Sequence, residues 1–503
     1  MAQSLIHRFA SILGGRVSSL LLGVLITPIL VRLLGSNQYG DYAFLLSLLG
    51  ITMILVNAGI FDGTRKFIAE NRETADWTEH VLGFYIRVAG AFAVAAAIGY
   101  GVLAWSPLSS SALGPQFETY LYLLAALILA RQAFSITRGG LMGLGLENRS
   151  EPLKILQKLL FGIFALSLAY LNYGVTGVLI GHTAASVVVT VLGAILVSAE
   201  VEVSAVFKRI PAEFPRRELL SFNGLSVVLI LLTASLYHVD ILLLRVLVGS
   251  QQTGYYRASL VVAEFLWFVP NALQMVLLHS SSEYWAKEKV DQISELVSRT
   301  TRYNLLLTML FAIGIAALAS DFVPLYFGAE FQPAVLPLLL LLPGAVGFAL
   351  ARPIFAVGQG KGNLKPLIGA TGSAAIMNLV FNLILIPRYE VAGAAVATSI
   401  SYGMMILFHV RAARKIGFTP VRNLRIDRIL AVVLLTAPII FLLSFLIESS
   451  INSLLIVPPI GLFVYSLISL KAGAIEADEV ISVLNRLPEP FSNHTNVIIR
   501  RLE

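Results

Sequence analysis

The chain contains no cysteine among its 503 residues. That excludes disulfides, thiolate nucleophiles and cysteine metal sites, though it says little about compartment. Charge is also scarce: 13% of the residues are Asp, Glu, Lys or Arg, about half of the roughly 25% found in soluble domains. A water-soluble fold needs more polar surface than this. Catalytic signatures are missing too. There is no H-E-x-x-H and no paired acidic loop motif, and Gly358-Gln359-Gly360-Lys361-Gly362 lacks the G-x-x-x-x-G-K-[ST] spacing of a phosphate-binding loop. ATP-driven pumping by this chain alone is therefore excluded, and nothing implies a cofactor or a metal.

What is present is hydrophobicity, at 57% of all residues. Apolar stretches of about twenty residues recur from end to end, the length that carries a helix across ~30 Å of hydrocarbon. They predict spans at 11–34, 42–61, 81–105, 117–138, 152–171, 174–198, 219–247, 255–280, 302–320, 333–357, 364–386, 391–411, 428–447 and 451–471. Barrel strands alternate apolar and polar residues over about ten positions, whereas these runs are longer and apolar on all sides. The expected fold class is an all-α polytopic membrane protein of about fourteen transmembrane helices. No small-residue cleavage site follows the first apolar run, so 11–34 reads as a retained span and not a signal peptide.

The formal net charge is +7, but the basic residues sit in short loops, where they signal topology and not nucleic-acid binding. With the N-terminus inside, most of the 36 Lys and Arg fall on the inner side. The outer segments hold only Arg32, Arg245, Arg257 and Arg388, and Arg87 and Arg131 fall within spans. A missed span would reverse this asymmetry beyond it, so the pattern predicts an even count with both termini cytoplasmic in the plasma membrane. By this topology the triplets at Asn148 and Asn493 face inward and are not glycosylation sites.

The two halves echo each other at an offset of 214 residues. Leu34-Gly35-Ser36-Asn37-Gln38-Tyr39-Gly40 aligns with Val248-Gly249-Ser250-Gln251-Gln252-Thr253-Gly254, Asn57 with Asn271, and Arg138 with Arg352. After a two-residue slip, Tyr173-Gly174 meets Tyr389-Glu390. Six spans per half preserve orientation, so the repeats should be parallel about an axis along the membrane normal, a transporter design with its substrate site between lobes. The expected division is an N-lobe at 1–207, a cytoplasmic linker at 208–218, a C-lobe at 219–415, two extra spans within 416–471 and a cytoplasmic tail at 472–503.

Two segments carry a resemblance. Arg32-Leu33-Leu34-Gly35-Ser36-Asn37-Gln38-Tyr39-Gly40 resembles the R-x-L-G-x-x-x-Y-G signature of polysaccharide-exporter flippases. The stretch from Asn378 through Asn382, Pro387, Tyr389 and Gly393 to Thr398 resembles their N-x-x-x-N-x-x-L-I-P-x-Y-G-x-x-G-A-A-x-A-T signature, with Glu390 where the family has Gly. Over its whole length the chain is similar to the oligosaccharide flippase branch of the multidrug/oligosaccharidyl-lipid/polysaccharide exporter superfamily. The resemblance implies a V-shaped two-lobe fold, and alternating-access movement of a polyprenyl-pyrophosphate-linked oligosaccharide from the inner to the outer leaflet. It implies membrane lipids, and polysaccharide assembly proteins, as partners.

A flippase must replace the water around a pyrophosphate, and Arg suits this because its planar fork binds phosphate oxygens in bidentate fashion. Ionisable residues inside spans are costly and usually face a cavity. The substrate-binding candidates are Arg65, Arg87, Arg131, Arg245, Arg257 and His279, the last being the repeat mate of Arg65. For those near span ends the alternative is snorkelling to lipid phosphates. Asp240 and Glu264 are candidates for coupling to H+ or Na+, with a structural ion pair to Arg245 or Arg257 as the alternative. Asp41 and Asp62 read as exposed loop caps, and His182 and His409 as packed histidines on apolar helices. The rival readings are a cation-coupled multidrug exporter of the same superfamily, a polytopic glycan-processing enzyme and a non-transporting scaffold. The abundance of intramembrane arginine favours an anionic substrate.

Overall fold

The computed structural model describes residues 2–479 except 71, 73–74, 223 and 477–478, with side chains from residue 18 onward apart from Leu108. Most of the expected tail lies outside the described residues. Among those described there are helices and no strands. In chain order the helices are α1 (Ala2–Asn57), α2 (Ile60–Glu70), α3 (Trp77–Trp105), α4 (Pro107–Leu113), α5 (Gln116–Gly143), α6 (Glu147–Tyr170), α7 (Gly174–Ser198), α8 (Val203–Val206) and α9 (Arg216–Ser221). They continue as α10 (Gly224–Leu247), α11 (Ser250–Ala263), α12 (Phe268–Ala286), α13 (Val290–Phe327), α14 (Val335–Gly360), α15 (Lys365–Ile416), α16 (Ile426–Leu446) and α17 (Ser450–Lys471).

Twelve helical stretches of the described residues are long and apolar enough to cross a membrane. Two of them, of 53 and 52 residues, would each reach about 80 Å if straight at 1.5 Å per residue. The first is broken at Gly35, φ 68°, and the second at Glu390, φ 49°, so each makes two passages. Fourteen passages result, as the apolar runs predict. The second passage runs past its expected end at 61 to Glu70, through a break at Ala58 and Gly59 with φ of 39° and 79°. The eighth is interrupted by a 3₁₀ turn at Glu264–Trp267.

The chain divides into two compact units. The first comprises Met1–Ala258 with Thr371–Thr398, and the second Ser259–Ala370 with Ser399–Glu503. These units cut across the repeat, because the hairpin around Glu390 joins the first unit.

In the first unit, turns made by Gly35, Gly174, Gly249 and Glu390 have φ of 68°, 52°, 129° and 49°. Gly35 and Gly249 are repeat mates, as are Gly174 and Glu390, so the duplicated sequence places a positive-φ turn at matching positions in both halves. The two copies also touch. A Cβ on Gly40 would lie 1.8 Å from the carbonyl oxygen of Ser250, and one on Gly254 would lie 2.0 Å from that of Ser36. Ser36 pairs with Ser250 and Gly40 with Gly254 at the same offset, so the contact is reciprocal. Small residues permit such backbone approach between helices in lipid.

On the other face of this unit, the segment after α7 is fastened to α2 and α3. Arg87 donates to the carbonyls of Phe207 and Lys208 at 3.0 and 2.9 Å. The Tyr85 hydroxyl donates to Leu219 O at 3.1 Å. Trp77 packs against Phe214 with ring centroids 5.4 Å apart. Arg72 forks between Glu70 and Glu218 and holds the exposed Glu218 carboxyl below its ordinary range through that hydrogen bond.

In the second unit, Trp267 donates to Ala345 O at 3.0 Å and packs against Phe348 and Tyr402. α14 lies directly on α15, where a Cβ on Gly344 would sit 2.3 Å from Ser399 Cα. Arg302, 4% exposed, is bridged by Glu479.

Candidate functional site

The first unit contains a buried carboxylate, with Arg257 within electrostatic range of it. Asp240 lies on α10 and is fully buried. Its Oδ1 accepts from Ile241 N at 2.8 Å, and its Oδ2 accepts from the Tyr256 hydroxyl at 2.5 Å and the Thr398 hydroxyl at 3.1 Å. Asn378 Nδ2 donates to Thr398 Oγ1 at 3.2 Å, and Asn382 Nδ2 to Asn378 O at 2.8 Å. The amide oxygens of Asn378 and Asn382 are buried and accept no hydrogen bond. Both Asn residues and Thr398 belong to the second signature segment, so that motif converges on Asp240. A carboxylate, two unsatisfied amide oxygens and two hydroxyls form a set of hard oxygen donors. This is the donor type that suits Na+ better than a softer metal, and a lone carboxylate among them can also take a proton.

The candidate cations are placed as follows. Arg131 on α5 is half-buried and makes no hydrogen bond or ion pair with a described residue. It lies within electrostatic range of Tyr42 and His182, and Tyr42 is also within range of Arg257. His238, on the helix of Asp240, is in range of Arg257 as well, and its Nδ1 lies 3.3 Å from Ser47 Oγ. Its ring covers Gly50, where a Cβ would lie 2.6 Å from Nε2. Arg131 and Arg257 therefore both act on Tyr42 within one unit, with the His182 ring in range of Arg131 and the His238 ring in range of Arg257.

Arg245 does not join that group. It is buried in an ion pair with Asp41 at 2.7 Å, donates to Leu113 O at 2.7 Å and lies over the Phe117 ring at 4.9 Å. This corrects the reading of Asp41 as an exposed cap. Asp41 is 4% exposed and also accepts from Ser250 Oγ at 2.7 Å, because the Gly35 and Gly249 turns enclose it. It also removes Arg245 from the possible partners of Asp240. Arg87 is exposed, with its guanidinium committed to the Phe207 and Lys208 carbonyls. Arg65 and His279 are exposed at their helix surfaces, in the first and second unit respectively. Glu264 begins the 3₁₀ turn of the eighth passage in the second unit, half-buried. His182 packs on Phe161 at 4.6 Å, and His409 is buried with Nδ1 2.9 Å from Met405 O, the packed arrangement expected of both.

Sequence reasoning overlooked Asn378, Asn382, Tyr256 and Thr398 as partners of Asp240. Their spacing was visible, but only folding brings α10, α11 and α15 together. It also grouped Lys158 with the inner-side cations. Lys158 stands well inside α6, half-buried against Gly23 of α1, and the signal was its i, i+4 spacing from Lys154 within an apolar run.

Comparison with known proteins adds a family. The sequence profile of a family described as polysaccharide biosynthesis protein matches residues 29–336. The probable low-salt glycan biosynthesis flippase Agl15 of Haloferax volcanii is 22% identical over 387 residues, covering 75% of this chain and 77% of that protein. Among solved structures, the lipid II flippase MurJ in an inward closed conformation superposes with a TM-score of 0.74 at 16% identity, covering 92% of this chain and 98% of the other. An inward-facing multidrug resistance MATE family transporter of the MOP superfamily gives 0.67 at 16% identity, covering 78% and 94%. At these identities the two structures establish a shared fold.

Proposed function

Because the chain belongs to the polysaccharide biosynthesis protein family, we propose that it is a flippase. It moves a polyprenyl-pyrophosphate-linked oligosaccharide from the cytoplasmic to the outer leaflet of the plasma membrane, with both termini cytoplasmic. The observation that carries this reading is the family match over residues 29–336, and the flippase Agl15 supports it. Arg131 and Arg257, both within electrostatic range of Tyr42, suit it physically, since a diphosphate stripped of water needs cations in its place. Arg65, exposed on α2, and separately His279, exposed on α12, are cations able to recruit the headgroup from the cytoplasmic side. Arg87 and Arg245 are left out because their guanidinium groups already serve the fold.

Transport is coupled to H+ or Na+ at Asp240. The buried donor set of Asp240, Asn378, Asn382, Tyr256 and Thr398 fits a hard cation, and a fully buried carboxylate is costly to maintain unless a cation or a proton neutralises it. Access alternates as one lobe rocks against the other. The multidrug-exporter reading shares the fold, but the family match and the excess of intramembrane arginine favour the anionic lipid.

The test is reconstitution in liposomes with a fluorescent polyprenyl-diphosphate oligosaccharide under imposed proton and sodium gradients. Wild type should move the lipid, Arg131→Ala should slow it at least tenfold, and Asp240→Asn should abolish its dependence on the gradient. A wild-type protein that leaves the lipid in its original leaflet overturns the flippase reading. Gradient dependence that survives Asp240→Asn overturns the coupling site.

A further inference from the structure

Lys158 occupies a position that packing alone does not explain. It is twelve residues before the end of α6 at Tyr170, Gly23 is twelve residues before the Gly35 turn, and Ser186, which Gln157 reaches at 3.0 Å, is twelve residues past the start of α7 at Gly174. At 1.5 Å per residue each lies about 18 Å from the same face. Three helices therefore agree in setting this ammonium near the middle of a ~30 Å hydrocarbon layer. A lysine side chain spans only about 6 Å, too little to snorkel from there to either surface.

The ammonium has no hydrogen-bond or ion-pair partner among the described residues, and its nearest charged neighbour on the helix is another cation, Lys154. It lies over the bare backbone of Gly23, where a Cβ would come within 2.8 Å of Nζ. One turn further on, Gly162 meets Ile26 of the same facing helix. The α1–α6 seam thus seats a positive charge directly against glycine backbone. The repeat shows that the seam does not need this charge. The corresponding stretch of the second half, 372–374, is Gly-Ser-Ala, and there a Cβ on Gly372 would meet Leu232 of α10 at 3.5 Å.

We propose that Lys158, seated over Gly23 in the seam between α1 and α6, is a binding residue for the phosphate of the transported lipid at mid-membrane. This deepens the flippase reading and rests on it. Bulk phospholipid headgroups stay at the interface, about 15 Å away. A phosphate that reaches Lys158 is therefore one in transit. Arg131 lies on α5 and Arg257 on α11, so Lys158 on α6 supplies a further contact along the path.

The test measures binding and transport separately. Detergent-solubilised wild type, Lys158→Met, Lys158→Arg and Gly23→Ala are titrated with a polyprenyl-diphosphate disaccharide, a neutral polyprenyl glycoside and phosphatidylglycerol. All four are also reconstituted for transport. Lys158→Met should weaken diphosphate-lipid binding at least tenfold and leave the neutral glycoside unchanged. Lys158→Arg should retain most of the affinity. Gly23→Ala should copy Lys158→Met, because the new methyl displaces the ammonium, and thermal midpoints should stay within a few degrees of wild type. Equal diphosphate-lipid binding by wild type and Lys158→Met overturns the site. So does an equal loss for diphosphate and neutral lipids, which marks a packing role. Phosphatidylglycerol competing as strongly as the diphosphate lipid overturns its assignment to the carried lipid. Wild type that binds through Lys158 but transports nothing overturns the flippase reading and leaves the site standing.

Discussion

Gly40 and Gly254 are repeat mates that each press against the other's turn: Gly40 meets the carbonyl of Ser250, and Gly254 meets the carbonyl of Ser36. The contact is the same twice, as a two-fold relation between parallel repeats requires. Neither glycine can gain a methyl without moving backbone, since the clashing atoms are main-chain oxygens with no rotamer to change.

Gly40→Ala and Gly254→Ala should therefore each destabilise the protein, by about 1–3 kcal/mol on the scale of overpacked cores. Thermal midpoints in detergent check this. Because the two clashes share one seam, the double variant should cost less than the sum of the singles.

Asp41 and Arg245 form a buried pair, and removing one member leaves the other charge uncompensated. Asp41→Asn or Arg245→Met should cost about 3–5 kcal/mol. The double replacement should recover much of the loss, and a double-mutant cycle on the unfolding midpoint measures the coupling. Purely additive losses would mean that the two charges do not stabilise each other.

Glu390 holds φ 49° at the turn where its repeat mate is Gly174 at φ 52°. An L-side chain is strained there and glycine is not. Glu390→Gly should stabilise the protein by about 1 kcal/mol, seen as a higher thermal midpoint with transport unchanged. Gly174→Glu should do the reverse.

Glu218 is hydrogen-bonded by Arg72, which depresses its folded pKa. A depressed carboxyl contributes stability above its unfolded pKa and loses it as pH falls through the folded value. Hydrogen exchange at 216–222 should therefore accelerate below about pH 4, the ordinary glutamate range. Arg72→Gln should raise exchange at neutral pH and flatten the pH dependence. The carboxyl is solvent-screened, so the effect should stay small.

Much of the architecture was legible in the sequence because membrane passages announce themselves by length and their ends by Gly, Pro and charge. The Gly35 and Gly249 turns and the fourteen passages follow from that directly. What stayed hidden depends on facing. Asp41 reads as a loop residue from its place beside Gly40, and only the approach of Arg245 from the seventh passage encloses it. Asp240 was visible as an intramembrane acid, but its hydroxyl and amide partners lie 16 to 158 residues away in sequence. Lys158 was lost because a topology count sorts cations by side and takes no account of depth. The break at Ala58 and Gly59 was missed because a helix that bends inside the bilayer keeps its apolar pattern.

The fastening of residues 207–222 to α2 and α3 has a practical corollary for anyone who separates the two repeats. Arg87, Tyr85 and Arg72 grip this stretch by its carbonyls and by Glu218, so it is an appendage of the first repeat and not a neutral tether. A co-expressed pair of fragments should be divided after Phe222. A cut nearer residue 200 would strand an aromatic strap, Phe214 with its partners, on the wrong piece and leave the indole of Trp77 facing water.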